Sequence, residues 1–314
     1  MALTLAEAAK LSNDTLIAGV IETIVKDNPL LERLPFVDVP GTSLTYNQES
    51  TLAGANFYDV GDTWVESTAE VTQKTAVLRI LGGDADVDSF LQQTRSNIND
   101  LEGTQIELKA KAVRHAFEEN FFYGDNGTDS KEFDGLHDVN LIPAAQQVHM
   151  GDSDSGNPLN LMKLDEAIDM VRGEKADLMV MTRAIRRRIT QHTRASGYHF
   201  EVSKDEIGRQ LLLYGDVPLF ISDHLVQTEL QSGSSPYGYS AKTGGYTSTI
   251  FIMRFGEDGV CGLTSGGIQI LRLGTLETKD ATRTRIKWYC SLANFSTLSA
   301  SLVDGITDAA VTDA

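Results

Sequence analysis

The chain has 314 residues, room for two packed units, and its 41% hydrophobic and 23% charged residues describe an ordinary globular composition rather than a disordered one. With 27 basic against 44 acidic residues the formal net charge is −17, which opposes nucleic-acid binding except where basic side chains cluster and argues against a DNA-reading or DNA-processing role. The two cysteines, Cys261 and Cys290, belong to no CxxC or His/Cys spacing, the start lacks the basic patch of a signal peptide, and no stretch approaches the roughly 18 apolar residues of a membrane span. Buried thiols in a soluble protein made in a reducing cytoplasm, with no membrane partner, are the expectation.

Leu3 to Lys10 and, after Asn13 or Asp14 as a cap, Thr15 to Lys26 read as helices, the second with an apolar stripe of Leu16, Ile17, Val20, Ile24 and Val25. Pro29, Pro35 and Pro40 stop any regular element after them, so this part is expected to lie as an arm against something else. Ser43 to Glu49 and Glu70 to Leu81 suit strands, with Val71, Thr75 and Val77 giving β-branched alternation. Between them the polar stretch Ser50 to Ser67 carries Phe57, Tyr58 and Trp64. The simplest geometry is a long two-stranded excursion with aromatics at its tip. Such a ribbon is marginal alone, so the aromatics are expected to meet a neighbour, either another part of the chain or another subunit.

A helical pattern runs from about Asp86 to Tyr123, with Asp84, Asp86 or Asp88 as caps and Gly124 as its end. Val87, Leu91, Thr94, Ile98, Leu101, Leu108 and Ala112 make one stripe, and Ile106, Ala110, Val113, Phe117 and Phe121 a second. If continuous this helix is about 55 Å long and spans a domain as a spine, with Gly103 a place to bend. Beyond the turn-rich Gly124 to Gly135 and a loop through Gly151 to Pro158, an α/β region is expected. It comprises helices at Leu164 to Arg172 and Arg183 to Arg194, and strands at Leu178 to Met181, Gln210 to Tyr214, Pro218 to Ile221 and Thr249 to Phe255. Gln231 to Tyr246 reads as a loop, Ile268 to Leu273 and Arg283 to Asn294 as late strands, and Val303 onward as a small-residue tail. Alternation in the second late strand puts Ile286, Trp288, Cys290 and Leu292 on one buried face.

Motifs for nucleotide, hydrolase or zinc chemistry do not occur. Asp152-Ser-Asp154-Ser-Gly156-Asn157 resembles the start of a calcium loop but lacks the later acidic ligand, and reads as a solvated turn, so no metal or cofactor is expected. His137 beside Asp138 and His224 beside Asp223 are expected as surface or loop histidines, because adjacent residues rarely face each other. Glu118 and Glu119, the carboxylates an acidic hydrolase would use, diverge by about 100° on a helix and cannot flank one bond. Arg183, Arg186, Arg187, Arg188 and Arg194 form the one basic concentration; they read as a solvated face with local salt bridges, as a partner for an acidic face of a neighbouring copy, or as a polyanion contact.

The order arm, ribbon, spine helix, α/β region, returning strands resembles the major capsid proteins of tailed phages. Local sequences carry the same likeness: Phe122-Tyr-Gly124-Asp-Asn126-Gly127-Thr followed by Phe133-Asp-Gly135-Leu136, then Leu213-Tyr-Gly215-Asp-Val217-Pro218-Leu-Phe-Ile-Ser222-Asp223, then Phe255-Gly256-Glu-Asp-Gly259 with Gly267-Ile268, and Thr282-Arg-Thr-Arg285-Ile286. The resemblance implies an α+β chain with the Hong Kong-97-type capsid fold, also found in encapsulin compartments. Residues 1–41 would be an N-terminal arm, 42–83 the extended loop, 84–158 with 274–304 the peripheral domain, 159–273 the axial domain and 305–314 a C-terminal tail. It further implies a non-enzymatic virion protein forming pentamers and hexamers around DNA, with Phe57, Tyr58, Trp64 and the arginine helix as contact candidates. Decoration and portal proteins are candidate partners. Many relatives carry a scaffolding extension before the arm; the first ribbon strand here begins near Ser43, so a separate scaffolding protein is expected. Some relatives crosslink through a loop lysine; Lys74 lies in the ribbon here without an evident partner, so noncovalent assembly is expected.

Overall fold

The computed structural model describes residues 30–95, 101–151, 155–173, 175–197, 201–204, 210–231 and 238–313. The expected arm helices up to Lys26, Ile98, and Asp152 with Asp154 lie outside these residues.

In chain order the first half contains α1 (Leu30–Arg33), β1 (Phe36–Asp38), β2 (Ser43–Thr51), β3 (Glu70–Val77), β4 (Arg79–Asp88), α2 (Ser89–Arg95), α3 (Leu101–Tyr123), β5 (Gln147–His149) and β6 (Asn157–Asn160). The second half contains α4 (Leu161–Met170), β7 (Leu178–Met181), α5 (Arg183–Ser196), β8 (Glu201–Lys204), β9 (Gln210–Tyr214), β10 (Val217–Ile221), β11 (Leu230–Gln231), β12 (Tyr239–Ala241), β13 (Thr247–Met253), β14 (Val260–Thr275), β15 (Ala281–Asn294) and β16 (Ala300–Thr312). Two sheets carry the fold. One runs β1-β14-β15-β4; the other runs β5-β16-β13-β7-β10-β9-β8, with β6 also on β16. Among the described residues the strands β2 and β3 pair only with each other, as the expected ribbon.

The eight-stranded sheet is covered on both faces, and the alternation of its central strands shows why. In β7, Met179 and Met181 face a core shared with Leu164 and Ala167 of α4 and Ile185 and Ile189 of α5. Leu178 and Val180 face the opposite core, with Phe117, Phe121 and Phe122 of α3. The strand β13 divides the same way, Ile250 and Ile252 to one side and Phe251 and Met253 to the other. A strand buried on both faces reads as a continuous apolar run, which is what Leu178 to Met181 is. Helix caps are conventional: the Met162 amide donates to Asn160 Oδ1 at 2.8 Å to open α4, and Gly197 in left-handed conformation (φ 74°) closes α5.

The second sequence stripe of α3 is the one that counts. Val113, Phe117 and Phe121 are buried, and Ile106 and Ala110 pack against the same core. The first stripe is corrected: Leu108 and Ala112 are exposed, while Val87, Leu91 and Leu101 form a small cluster where β4, α2 and α3 meet. The helical start is corrected too. Residues 79–88 are strand, and only Asp88 caps, its Oδ1 accepting from the amides of Phe90 at 2.9 Å and Leu91 at 3.3 Å. Asp84 and Asp86 lie on one face of β4 opposite Arg285 and Arg283 of β15, each pair bidentate with oxygen–nitrogen distances of 2.6 to 2.8 Å. These guanidinium contacts hold both carboxyls below the usual aspartate range.

Residues from Val303 onward are not a tail. They continue β16, which pairs antiparallel with β13 and parallel with β5 and β6. Small residues here mark a tightly packed strand, with Ala300, Ser301, Val303 and Asp304 buried. The stretch from Gln231 to Tyr246 contains the short strand β12, paired with β11, where a loop was expected. The face of Ile286, Trp288, Cys290 and Leu292 is buried as its alternation implies, and burial pushes the Cys290 thiol up to about 12 and Cys261 to about 11.

The glycines after α3 have a mechanical reason. The chain turns back over the helix end, where the amides of Gly135 and Leu136 donate to the carbonyls of Gly124 at 2.8 Å and Phe121 at 2.9 Å and so satisfy groups the helix leaves open. A Cβ on Gly135 would sit 2.6 Å from the Asn120 carbonyl and 2.7 Å from the Gly124 amide. Gly135→Ala is therefore expected to destabilise the folded chain by about 1–3 kcal/mol, read as a lower urea midpoint at unchanged slope.

Candidate assembly surfaces and buried polar groups

The ribbon is fastened at its base and uncovered at its tip. Gln48 donates to the carbonyls of Asn294 at 2.8 Å and Phe295 at 3.1 Å, Tyr46 meets Phe295 edge-on with ring centres 4.9 Å apart, and Lys74 Nζ donates to the Asn140 carbonyl at 2.5 Å. Towards the tip these contacts cease. Tyr58 and Trp64 stack on each other at 4.3 Å, yet Trp64 remains 78% exposed, and Leu52, Phe57, Val60 and Val65 are exposed as well.

A second apolar surface was not anticipated from sequence. The outer half of β14 exposes Ile268, Ile270, Leu271 and Leu273, on both sides of the strand, and Ile80 of β4 is 77% exposed. Scattered surface leucines need no explanation, but a run on one projecting strand does. The available signal was the break in alternation at Ile270-Leu271, which puts apolar residues on both faces of the strand.

The arginine helix is tied largely within its own chain. Arg183 grips Asp223 at 2.6 and 2.7 Å; Arg187 and Arg188 share Asp308 at 3.0 and 2.6 Å. These contacts realise the local salt-bridge reading for three of the five, while Arg186 is half-buried and Arg194 exposed.

The histidines expected at the surface are corrected. His137 and His224 are both buried, and neither faces its neighbouring aspartate. His137 Nδ1 lies 2.8 Å from the Phe122 carbonyl, which only accepts, so Nδ1 carries the proton and Nε2 accepts from Thr249 Oγ1 at 3.2 Å. Thr249 Oγ1 also lies 2.6 Å from Glu229 Oε2, so its single proton serves either the imidazole or the carboxyl, and a neutral Glu229 that donates to the hydroxyl satisfies both neighbours. Burial independently favours that state, raising Glu229 to about 8, and lowers His137 to about 4. Tyr123 completes the group by donating to Glu229 Oε1 at 2.6 Å. Of the paired glutamates, Glu118 is fully buried and faces His224, whereas Glu119 pairs with Lys242, so the two diverge as expected. Among the described residues no helix is long and apolar enough to cross a membrane.

No protein-family model and no curated protein matches the sequence. Solved structures do match, along nearly the whole chain. The holo-SrpI encapsulin complex from Synechococcus elongatus PCC 7942 is 19% identical at a TM-score of 0.69, covering 98% of this chain and 97% of that one. A chain of Microbacterium phage Oxtober96 is 14% identical at 0.65, covering 98% and 99%. This chain has the phage-capsid fold. The capsid of Myoviridae phage XM1, 13% identical at 0.64 over 91% and 95%, is similar in the same way. The capsid fold therefore accounts for the α+β architecture from the ribbon through β16, and its solved examples named here include shell proteins on both the phage and the encapsulin side.

Linkage predicts how Glu229 makes the stability of the fold respond to pH. Its folded value near 8 exceeds the ordinary 4.5, so its contribution is fully present below pH 4.5 and lost as pH rises through 8. His137 works oppositely and only below its ordinary 6.5, losing stability as pH falls towards 4. Between pH 6.5 and 8 Glu229 acts without it, and wild type is expected to lose about 1–2 kcal/mol there, while Glu229→Gln flattens the slope, as thermal melts at stepped pH would record.

Proposed function

We propose that this chain is the major capsid protein of a tailed phage, a subunit that assembles with its own copies into a closed shell around double-stranded DNA. The observation that carries this reading is the pairing of a whole-length capsid fold with a ribbon whose base is anchored and whose apolar tip has no cover from the described residues of its own chain. In this reading residues 1–41 form the arm and 42–83 the extended loop, each lying on an adjacent subunit. The four-stranded sheet with α2 and α3 forms the peripheral part, and the eight-stranded sheet, now including 300–312, the axial part. Phe57, Tyr58 and Trp64 are proposed as contacts to the neighbouring copy, Arg194 as the arginine of α5 most open to a partner, and Ile268, Ile270 and Leu273 as a second contact strip. The shell assembles noncovalently in the host cytoplasm with a separate scaffolding protein, and the virion holds it with a portal and any decoration protein. The charge of −17 suits a wall that encloses DNA without gripping it.

A second reading has its own support: the encapsulin match, at TM-score 0.69, is at least as good as the phage matches described. Particles purified after co-expression with the neighbouring genes separate the two. Nuclease-protected DNA supports the phage head, and an enclosed protein cargo the compartment. A subunit that stays monomeric under every assembly condition would sink both.

Phe57→Ser with Val60→Ser tests the ribbon. Both residues are fully exposed in the subunit, so the change is expected to alter its stability by less than about 0.5 kcal/mol while abolishing hollow particles in negative stain.

A further inference from the structure

One cluster in the fold is out of keeping with an inert wall. His115 and Glu118 stand one turn apart on α3, and His224 reaches them from the turn after β10. One donor atom from each lies within 4.8 Å of the other two. Glu118 is 0% exposed and His224 2%. His224 Nε2 and Glu118 Oε2 are 2.9 Å apart, yet neither makes a hydrogen bond, and nor does His224 Nδ1. A buried ion pair would align N–H with oxygen. Two buried groups brought this close without that alignment leave a desolvation cost unmet.

We propose that His115, Glu118 and His224 form a binding site for one divalent transition-metal ion of the zinc class, which clamps α3 to the turn after β10. Two imidazoles and a carboxylate are a donor set zinc takes, with a fourth position left for water. Zinc–nitrogen bonds near 2.1 Å would put the donors about 3.4 Å apart in a tetrahedron. His115 Nδ1 to Glu118 Oε2 is 3.8 Å, so adjustments of about half an ångström bring both that pair and the 2.9 Å pair to this spacing. The surroundings already orient the donors. Arg114 Nε holds the other Glu118 oxygen at 2.9 Å, turning Oε2 inward, and Arg183 grips Asp223 beside His224. Arg114 adds a positive charge that opposes a cation, but its side chain is nearly half exposed and its charge is screened. The second trio among the described residues, Asp125, Asp134 and Asp138, is purely acidic and partly exposed, and makes the natural control.

The test uses the untagged full-length chain, stripped with chelator and titrated with Zn²⁺ and, separately, Co²⁺. Expected are one equivalent bound per chain, the intense visible absorption of four-coordinate Co²⁺, and a Tm raised by Zn²⁺. His115→Ala, at the most exposed of the three positions, should fold and bind at least tenfold more weakly with the Co²⁺ band lost, while Asp125→Asn with Asp138→Asn should bind as wild type. If Glu118→Gln or His224→Ala fails to fold, the His115→Ala comparison still decides. No binding by wild type overturns the proposal, as does binding that His115→Ala leaves unchanged.

Discussion

The aromatic end of α3 is the contact on which the two sheets depend. Phe117 sits 4.6 Å from Trp288 of β15 and 5.9 Å from Phe36 of β1, while Phe122, little more than one turn later, sits 5.4 Å from Phe251 of β13. One helix thus presents rings to the four-stranded sheet and to the eight-stranded sheet together, and a single core runs through all three. Each of these rings buries roughly 150–250 Å² in general, so the joint is stiff in a way that a polar hinge would not be. The glycine turn at Gly124 and Gly135 exists to let the chain leave this crowded end without breaking it.

From that joint the remaining features divide by how they treat water. The central strands of the eight-stranded sheet are covered on both faces, and in the buried pair Glu229 and His137 beside them each polar side-chain atom has a partner. The four-stranded sheet is dry around Phe36 and Trp288 and wet at the far end, where the Asp84–Arg285 and Asp86–Arg283 pairs line one side and Leu271 and Leu273 stand uncovered. Charged pairs laid across a strand edge fix register and discourage wrong pairing. Beyond them the sheet leaves apolar residues bare.

Much of this was legible in the sequence, and the failures have a common cause. Strands covered on both faces, such as Leu178 to Met181, announce themselves as apolar runs, and the stripe Ile106 to Phe121 named the buried side of α3. The misreadings fell where two periodicities fit one segment. Asp84, Asp86 and Asp88 satisfy the rule for helix caps, but their spacing of two is also that of a strand face, and the matching spacing of Arg283 and Arg285 lies about 200 residues away. Val303 onward looked like a tail because small residues are common there, whereas packing between β13 and two further strands is what selects them. The buried histidines were missed because burial depends on partners far along the chain: Glu118 for His224, and Thr249 with Glu229 for His137.

The placement of β16 bears on how the subunit comes into being. Among the described residues β5 and β6 have no strand partner except β16, about 150 residues later, so a chain growing on a ribosome holds them unpaired until β16 emerges. During that interval β13 presents an open edge whose second half, Ile250 to Met253, is apolar. Closure of the sheet is thus a late, long-range event, and a product truncated before residue 300 would expose a surface suited to aggregation rather than to ordered assembly.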